Sequence, residues 1–284
     1  DVIDGGGNSA VAVSGAAGKD TLTASGAIGT VVTAMVPQIS NVETIQFANG
    51  ANDVYLDMAT TTGASITQFS ASSGTTTLTN VAAGQTIGLG IAAAELAGTL
   101  SVTLADETGT ADSLTLDYSE GLDTAAATVV KTAGIETINI AAQVAATGGA
   151  DISTITTTNM KATNVVVTGG NTVDTLALGT LNVATSNVDA SAYKGVLTMV
   201  AGAGTAMTVS ALGGVANTIT GSTGSDTVTL TGKLGTAINV TDASTGTLDT
   251  LTATADNAST DFTSVAGYET INLNITNGAA AGFD

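Results

Sequence analysis

Asp112-Ser113-Leu114, followed 24 residues later by Glu136-Thr137-Ile138, is the stretch that decides the fold, because the same two-part phrase occurs three times. Asp20-Thr21-Leu22 leads to Glu43-Thr44-Ile45 after 23 residues, and Asp249-Thr250-Leu251 leads to Glu269-Thr270-Ile271 after 20. A phrase reused at nearly constant spacing marks a repeated structural unit rather than a single active site. The question becomes what the chain builds.

Around the phrases, apolar and polar residues alternate at period 2. Thr227-Val228-Thr229-Leu230-Thr231, Ser101-Val102-Thr103-Leu104 and Ile271-Asn272-Leu273-Asn274-Ile275 each read as a short strand with one buried face. Thr with Val, Ile and Leu is a strand-favouring mixture. Such runs end in Gly, Asn, Asp or Ser, and the only proline is Pro37, so the coils close through small polar turns. Two segments lean towards helix: Ile91 to Leu96 as one short turn, and Thr124 to Lys131, which reads either way. Aromatic residues are 3% of the chain, too few for a thick core. Small aliphatic side chains instead fill a thin interior between stacked coils without voids. The expected fold is all-β: an elongated β-solenoid or β-roll-like stack of short strands, with room for small β-sandwich modules.

A second repeat is suggested by Asp174-Thr175-Leu176 leading to Asp189-Ala190-Ser191, and Asp226-Thr227-Val228 leading to Asp242-Ala243-Ser244, the two copies offset by 52 residues. Together the phrases divide the chain into β modules at 1–95, 96–165 and 166–284, read as one continuous elongated body.

Composition narrows the chemistry. Among 284 residues there are 24 acidic and five basic side chains, a formal net charge of −19. There is no His, Cys or Trp, and all five basic residues are Lys. Catalysis through imidazole, thiol or guanidinium is therefore closed to the chain. Zinc loses its usual ligands. Hard oxygen donors remain, and these suit Ca²⁺. So acidic a surface repels nucleic acid and anionic membranes. With 43% hydrophobic residues and a mean hydropathy of +0.38, the chain is no disordered acidic tail. No run reaches membrane-spanning length, and the absence of cysteine suits an extracellular bacterial protein that does not rely on disulfides. The start at Asp1 reads as part of a longer or processed chain.

The candidate ligands lie in Gly-rich turns ahead of strands. Gly221-Ser222-Thr223-Gly224-Ser225-Asp226-Thr227-Val228-Thr229 follows the Gly-Gly-x-Gly-x-Asp-x-Leu-x nonapeptide with Ser at its second position, and Gly15-Ala16-Ala17-Gly18-Lys19-Asp20-Thr21-Leu22-Thr23 follows it with Ala there. Glycine lets turn carbonyls point inward, while Asp brings charge. The metal candidates are Asp4, Gly15, Gly18, Asp20, Asp112, Asp174, Gly221, Gly224, Asp226 and Asp249, with Ca²⁺ as the ion. The competing reading of each Gly-x-Asp is a plain Asx-turn. For Glu43, Glu136 and Glu269 the leading expectation is structural: a carboxylate at the start of a strand, accepting backbone N–H bonds from the adjoining turn. Thr75-Thr76-Thr77 and Thr156-Thr157-Thr158 read as solvated strand face.

With these residues the chain resembles the calcium-dependent surface-layer proteins of Gram-negative bacteria, of the Caulobacter type, and their repeats-in-toxin relatives. The resemblance is carried by the Asp-Thr-Leu to Glu-Thr-Ile phrases, by Asn187-Val188-Asp189-Ala190-Ser191-Ala192-Tyr193-Lys194-Gly195 and by Ile219 to Val228. It implies a β-solenoid or β-roll body, calcium-dependent assembly with its own copies at the bacterial cell surface, and export by a type I system with a C-terminal signal. It leaves contact with cell-surface polysaccharide to another region. The nonapeptides here are dispersed rather than tandem, which leaves room for a filament-forming or adhesive relative. The expected function is therefore a non-catalytic structural protein of an extracellular lattice, sheath or filament. The alternative is the stalk of a large secreted adhesin, and a carbohydrate-active solenoid enzyme ranks third.

Overall fold

The computed structural model describes residues 12–14, 21–25, 38–40, 44–48, 54–57, 65–69, 75–91, 94–95, 99–118, 126–142, 152–202, 206–213, 216–233, 238–242, 248–255 and 265–275, with side chains described at most of these positions from 77 onward. Among the described residues there is no helix.

Two parallel sheets dominate. One has twelve strands in the order Thr21–Ser25, Thr44–Ala48, Ser65–Phe69, Gln85–Gly88, Ser113–Asp117, Thr137–Ala142, Asn164–Gly169, Asn187–Tyr193, Thr208–Leu212, Thr227–Lys233, Thr250–Ala255 and Thr270–Ile275. The other has ten: Val54–Asp57, Thr75–Val81, Thr99–Leu104, Ala126–Ala133, Ile152–Met160, Thr175–Thr180, Val196–Val200, Thr218–Thr220, Asn239–Thr241 and Val265–Ala266. Strand order equals chain order in both, and from Thr44 onward the chain visits the sheets alternately. Each circuit therefore adds one strand to each sheet, which is a β-solenoid. Both sheets run across residues 95/96 and 165/166. Eleven steps at ~4.8 Å between strands give the twelve-stranded sheet a length of roughly 53 Å.

The register explains the spacing of the phrases. From Ser113 to Thr270 the in-register partners step by 24, 27, 23, 21, 19, 23 and 20 residues. Thr21 pairs with Thr44, Ser113 with Thr137 and Thr250 with Thr270. Each phrase is thus two neighbouring coils, with Asp one rung before Glu.

The strands alternate as their sequences demand. Val165, Val188, Val209, Val228 and Leu251 stack in one interior column, and Ala190, Ala211, Leu230 and Ala253 in the next, all buried. Leu100, Leu176, Leu178, Leu197, Met199, Ile219 and Val240 face them from the other sheet as part of the same core. Small residues opposite larger ones keep this thin interior filled.

Local irregularities have identifiable causes. Asn80 adopts φ 55°, and it lies where the register with Thr99–Leu104 slips, so an extra residue is absorbed as a bulge. The helical turn expected from Ile91 to Leu96 is replaced by two short antiparallel strands, Gly90–Ile91 and Ala94–Glu95. The ambiguous Thr124 to Lys131 segment resolves as strand from Ala126 onward, because both flanking strands offer it a parallel ladder. Tertiary pairing has overridden a weak local preference. Thr157 is fully buried rather than solvated, and its hydroxyl donates to the Leu178 carbonyl at 2.8 Å. The inferred second repeat is not one: Asp174 precedes a strand of the ten-stranded sheet, whereas Asp226 precedes a strand of the twelve-stranded sheet. Similar words there come from the shared need to close a turn.

Candidate functional site

One corner of the coil, where the chain leaves the ten-stranded sheet and enters the twelve-stranded one, collects most of the described acidic candidates. The last residue before each strand forms a column. Backbone bonds tie it from coil to coil: Thr227 N donates to Met207 O (2.8 Å), Thr250 N to Asp226 O (2.9 Å) and Thr270 N to Asp249 O (3.0 Å).

Carboxylates make a second ladder on this column. The Met207 N–H donates to Asp226 Oδ1 at 2.7 Å, the Asp226 N–H to Asp249 Oδ1 at 2.7 Å, and the Asp249 N–H to Glu269 Oε2 at 2.8 Å. Earlier in the stack the Asp112 N–H donates to Glu136 Oε2 at 2.9 Å. Each carboxylate therefore caps the backbone of the preceding coil. That was the structural expectation for Glu136 and Glu269, and it is their geometry; Glu43 lies outside the described residues. Asp226 is also held by its own turn, since both the N–H and the hydroxyl of Ser222 donate to its carboxylate. Asp226 thus closes the nonapeptide by accepting from a residue four positions before it, a different bond from the forward Asx-turn of the competing reading.

The start of the same corner forms another column. Gly221 N donates to Thr241 O, the residue before Asp242, and Asp242 N donates to Ala266 O, so Gly221 and Asp242 occupy successive coils. Asp242 reaches across to the ladder: one carboxylate oxygen each from Asp226, Asp242 and Asp249 lies within 4.8 Å of the others. Asp226 and Asp249 are buried and Asp242 half-buried. Gly221 makes room for this. A Cβ there would overlap Asp242 Oδ1 and come within 2.7 Å of Asp226 Oδ2.

Electrostatics follow. Burial raises the Asp226 carboxyl above its ordinary range, its hydrogen bonds with Ser222 and Met207 oppose this, and the Asp242 charge adds to the rise. The Tyr268 phenol is pushed up by burial and then by Asp242, Asp226 and Asp249, and its buried hydroxyl has no hydrogen-bond partner among the described residues.

The donor set fits a hard divalent cation. Two oxygens on one Ca²⁺, each about 2.4 Å away, stand at most about 4.8 Å apart. Three carboxylates supply more charge than one such ion neutralises, and Gly221 keeps the approach clear. The residues that would hold it are Asp226, Asp242 and Asp249, and it would supply charge neutralisation and a cross-link between coils.

The other candidates are placed as follows. Asp112 shares the corner column but stands five strand steps from Asp226, roughly 24 Å away. Its carboxylate folds over Gly109 of its own loop. Asp174 closes a turn on the opposite edge, accepting from Asn171 N at 2.6 Å. Gly224 stays in the nonapeptide turn, where its N–H donates to Ser222 Oγ at 2.9 Å. Asp4, Gly15, Gly18 and Asp20 lie outside the described residues. Sequence reading missed Asp242 and Tyr268, which belong to the cluster by stacking. The available signals were the Asp226 to Asp242 phrase, taken in the sequence as a repeat rather than a contact, and the place of Asp242, like Gly221, just after a short Thr-containing strand.

The fold and this corner define a parallel β-solenoid in which carboxylates at one corner, buried at Asp226 and Asp249, cap the backbone of the preceding coil. No protein-family model matches the chain, and no curated protein and no solved structure matches it.

Proposed function

We propose that this chain is a structural protein of the bacterial cell surface that assembles with its own copies into an extracellular lattice, sheath or filament, supported by Ca²⁺. The observation that carries this reading is the Asp226–Asp242–Asp249 cluster in a chain of net charge −19. Like charges gathered there favour a divalent ion, and a surface this acidic needs one to approach a copy of itself. The reading is also a non-enzymatic one. Asp226 and Asp249 are engaged as acceptors for the backbone of neighbouring coils, a use that serves stacking. Any contact with cell-surface polysaccharide is assigned to a region outside this stack.

A stack roughly 53 Å long also suits a spacer, so the stalk of a secreted adhesin of the repeats-in-toxin type is the second reading. Electron microscopy of the purified protein with Ca²⁺ and then with chelator separates the two. Ordered sheets or fibres that dissolve on chelation are expected; single rods under both conditions would favour the stalk. Turnover of an acidic polysaccharide that disappears when Asp or Glu is replaced would overturn both.

A further inference from the structure

Charge is spread unevenly over the stack. From Ser113 to Ala255 the strands of the twelve-stranded sheet alternate buried and outward positions, and the outward ones stand in columns from coil to coil. One column runs in register from Ser113 to Thr250, the next from Thr115 to Thr252. Every residue in both is half-buried or exposed, so no described segment lies across this face. All are Ser, Thr or Asn except Val166 and Asp189. Asp189 is thus the one charge in the two columns, and its Oδ1 is engaged by the Ser191 N–H at 3.1 Å and hydroxyl at 2.6 Å. The acids of the functional corner stand in turns instead. A chain of net charge −19 therefore keeps the middle of this face almost free of charge.

Three properties of the face fit a second copy of the chain. Elsewhere like charges oppose the approach of a copy; here they do not. A copy repeats the same ~4.8 Å step between strands, so its side-chain columns match these along the whole stack. Short, stiff side chains of this kind interdigitate between paired sheets at little cost in rotamer entropy. Part of the array is already ordered: Asn187 Nδ2 donates to Asn164 Oδ1 at 3.5 Å, and Asn164 Nδ2 to Thr137 Oγ1 at 3.4 Å. The area is also sufficient. Twelve strands about five residues wide give a face of roughly 53 by 16 Å, about 850 Å², against about 800 Å² per partner in a standard interface.

We infer that the outer face of the twelve-stranded sheet is a docking surface for the same face of a second copy, the two sheets packing about 10 Å apart with their strands near alignment. The inference rests on the self-association proposed above and names its lateral contact. The same patch meets itself, so this contact closes a two-copy unit. A lattice or filament then grows from such units through other surfaces, with the acidic corners left outside for Ca²⁺.

Thiol labelling tests this, because the chain has no cysteine of its own. Thr229→Cys places a thiol in the second column, and Thr198→Cys places one on the outer side of the ten-stranded sheet; both positions are half-buried. Each variant is labelled with a maleimide, once dilute and once concentrated in Ca²⁺. Labelling of Thr229→Cys is expected to slow at least about tenfold on concentration, since a thiol reacts only where reagent reaches it, while Thr198→Cys keeps its rate. A second pair of variants guards against a cysteine that disturbs the contact. Thr229→Asp with Thr252→Asp sets like charges against each other across it and is expected to lower the oligomeric fraction in light scattering. Thr198→Asp with Thr218→Asp adds the same charge to the other sheet and is expected to leave that fraction unchanged. Melting curves of the dilute proteins confirm that all four variants fold. Equal slowing at both thiols, or equal loss of oligomer in both Asp pairs, overturns the assignment to this face. If ordered assemblies form in the microscope while Thr229→Cys labels at its dilute rate, the contact fails and self-assembly stands. A chain that stays monomeric at every concentration overturns both.

Discussion

Gly221 shows how a single missing carbon sets up the acidic corner. The carboxylates of Asp226 and Asp242 approach over its Cα. Gly221→Ala is expected to cost about 1–3 kcal/mol, because the added methyl must displace both groups; urea unfolding measures it. Glu136 tests the ladder without touching the cluster. Glu136→Ala leaves the Asp112 N–H without its acceptor and should cost about 1–2 kcal/mol. Glu136→Gln keeps a carbonyl at the same place and should cost less, so the difference between the two variants reads the hydrogen bond rather than the side-chain volume. Asp226 makes a prediction about pH. Its native pKa is raised, so between the unfolded value of about 4 and the native value the folded state holds a proton the unfolded state has lost. This component of stability is present at low pH and falls as pH rises through that window. Asp242→Asn removes the neighbouring charge, so in chelator the variant's stability should decline less from pH 4 to 7 than the parent's. A steeper decline in the variant would contradict the assignment.

At the scale of a strand, the interior column dictates energetics. Leu251 is fully buried between Val228 and Ile271, so Leu251→Ala should cost about 2–5 kcal/mol by leaving a gap that neighbouring strands cannot close. Ile271→Ala, one coil further on, removes a side chain already 44% exposed and should cost well under half as much. Chemical denaturation of the two variants side by side checks the gradient. Equal losses would mean that the edge is covered in solution. Strand identity here comes from alternation and from a neighbour on each side, which is why Ala126–Ala133 is strand despite its ambiguous sequence.

Across the whole molecule, charge opposes stacking and oxygen ligands offer relief. If Ca²⁺ sits among Asp226, Asp242 and Asp249, binding to the folded state alone adds about 2.7 kcal/mol at a hundredfold excess over its dissociation constant. Thermal melts with Ca²⁺ and with chelator should therefore separate clearly for the parent protein and much less for Asp242→Asn. The same separation in both proteins would place the ion elsewhere.

Period and phrase spacing are properties of the chain itself, so the all-β solenoid was readable before any coordinate. An in-register stack must repeat its corner residues once per coil, and Asp112 to Glu136 or Asp249 to Glu269 records that circuit directly. The capping role of the Glu residues was readable for the same reason. What only the tertiary structure decided is which acids meet. Asp242 and Asp249 flank one corner and Asp226 closes the same corner of the coil before it, so their approach depends on the register between coils, whose steps along the stack vary from 19 to 27 residues. Asp174 and Asp226 sound alike in sequence yet close turns leading into different sheets. Turn chemistry is local and legible, whereas the distance between side chains on neighbouring coils is set by how the whole stack winds.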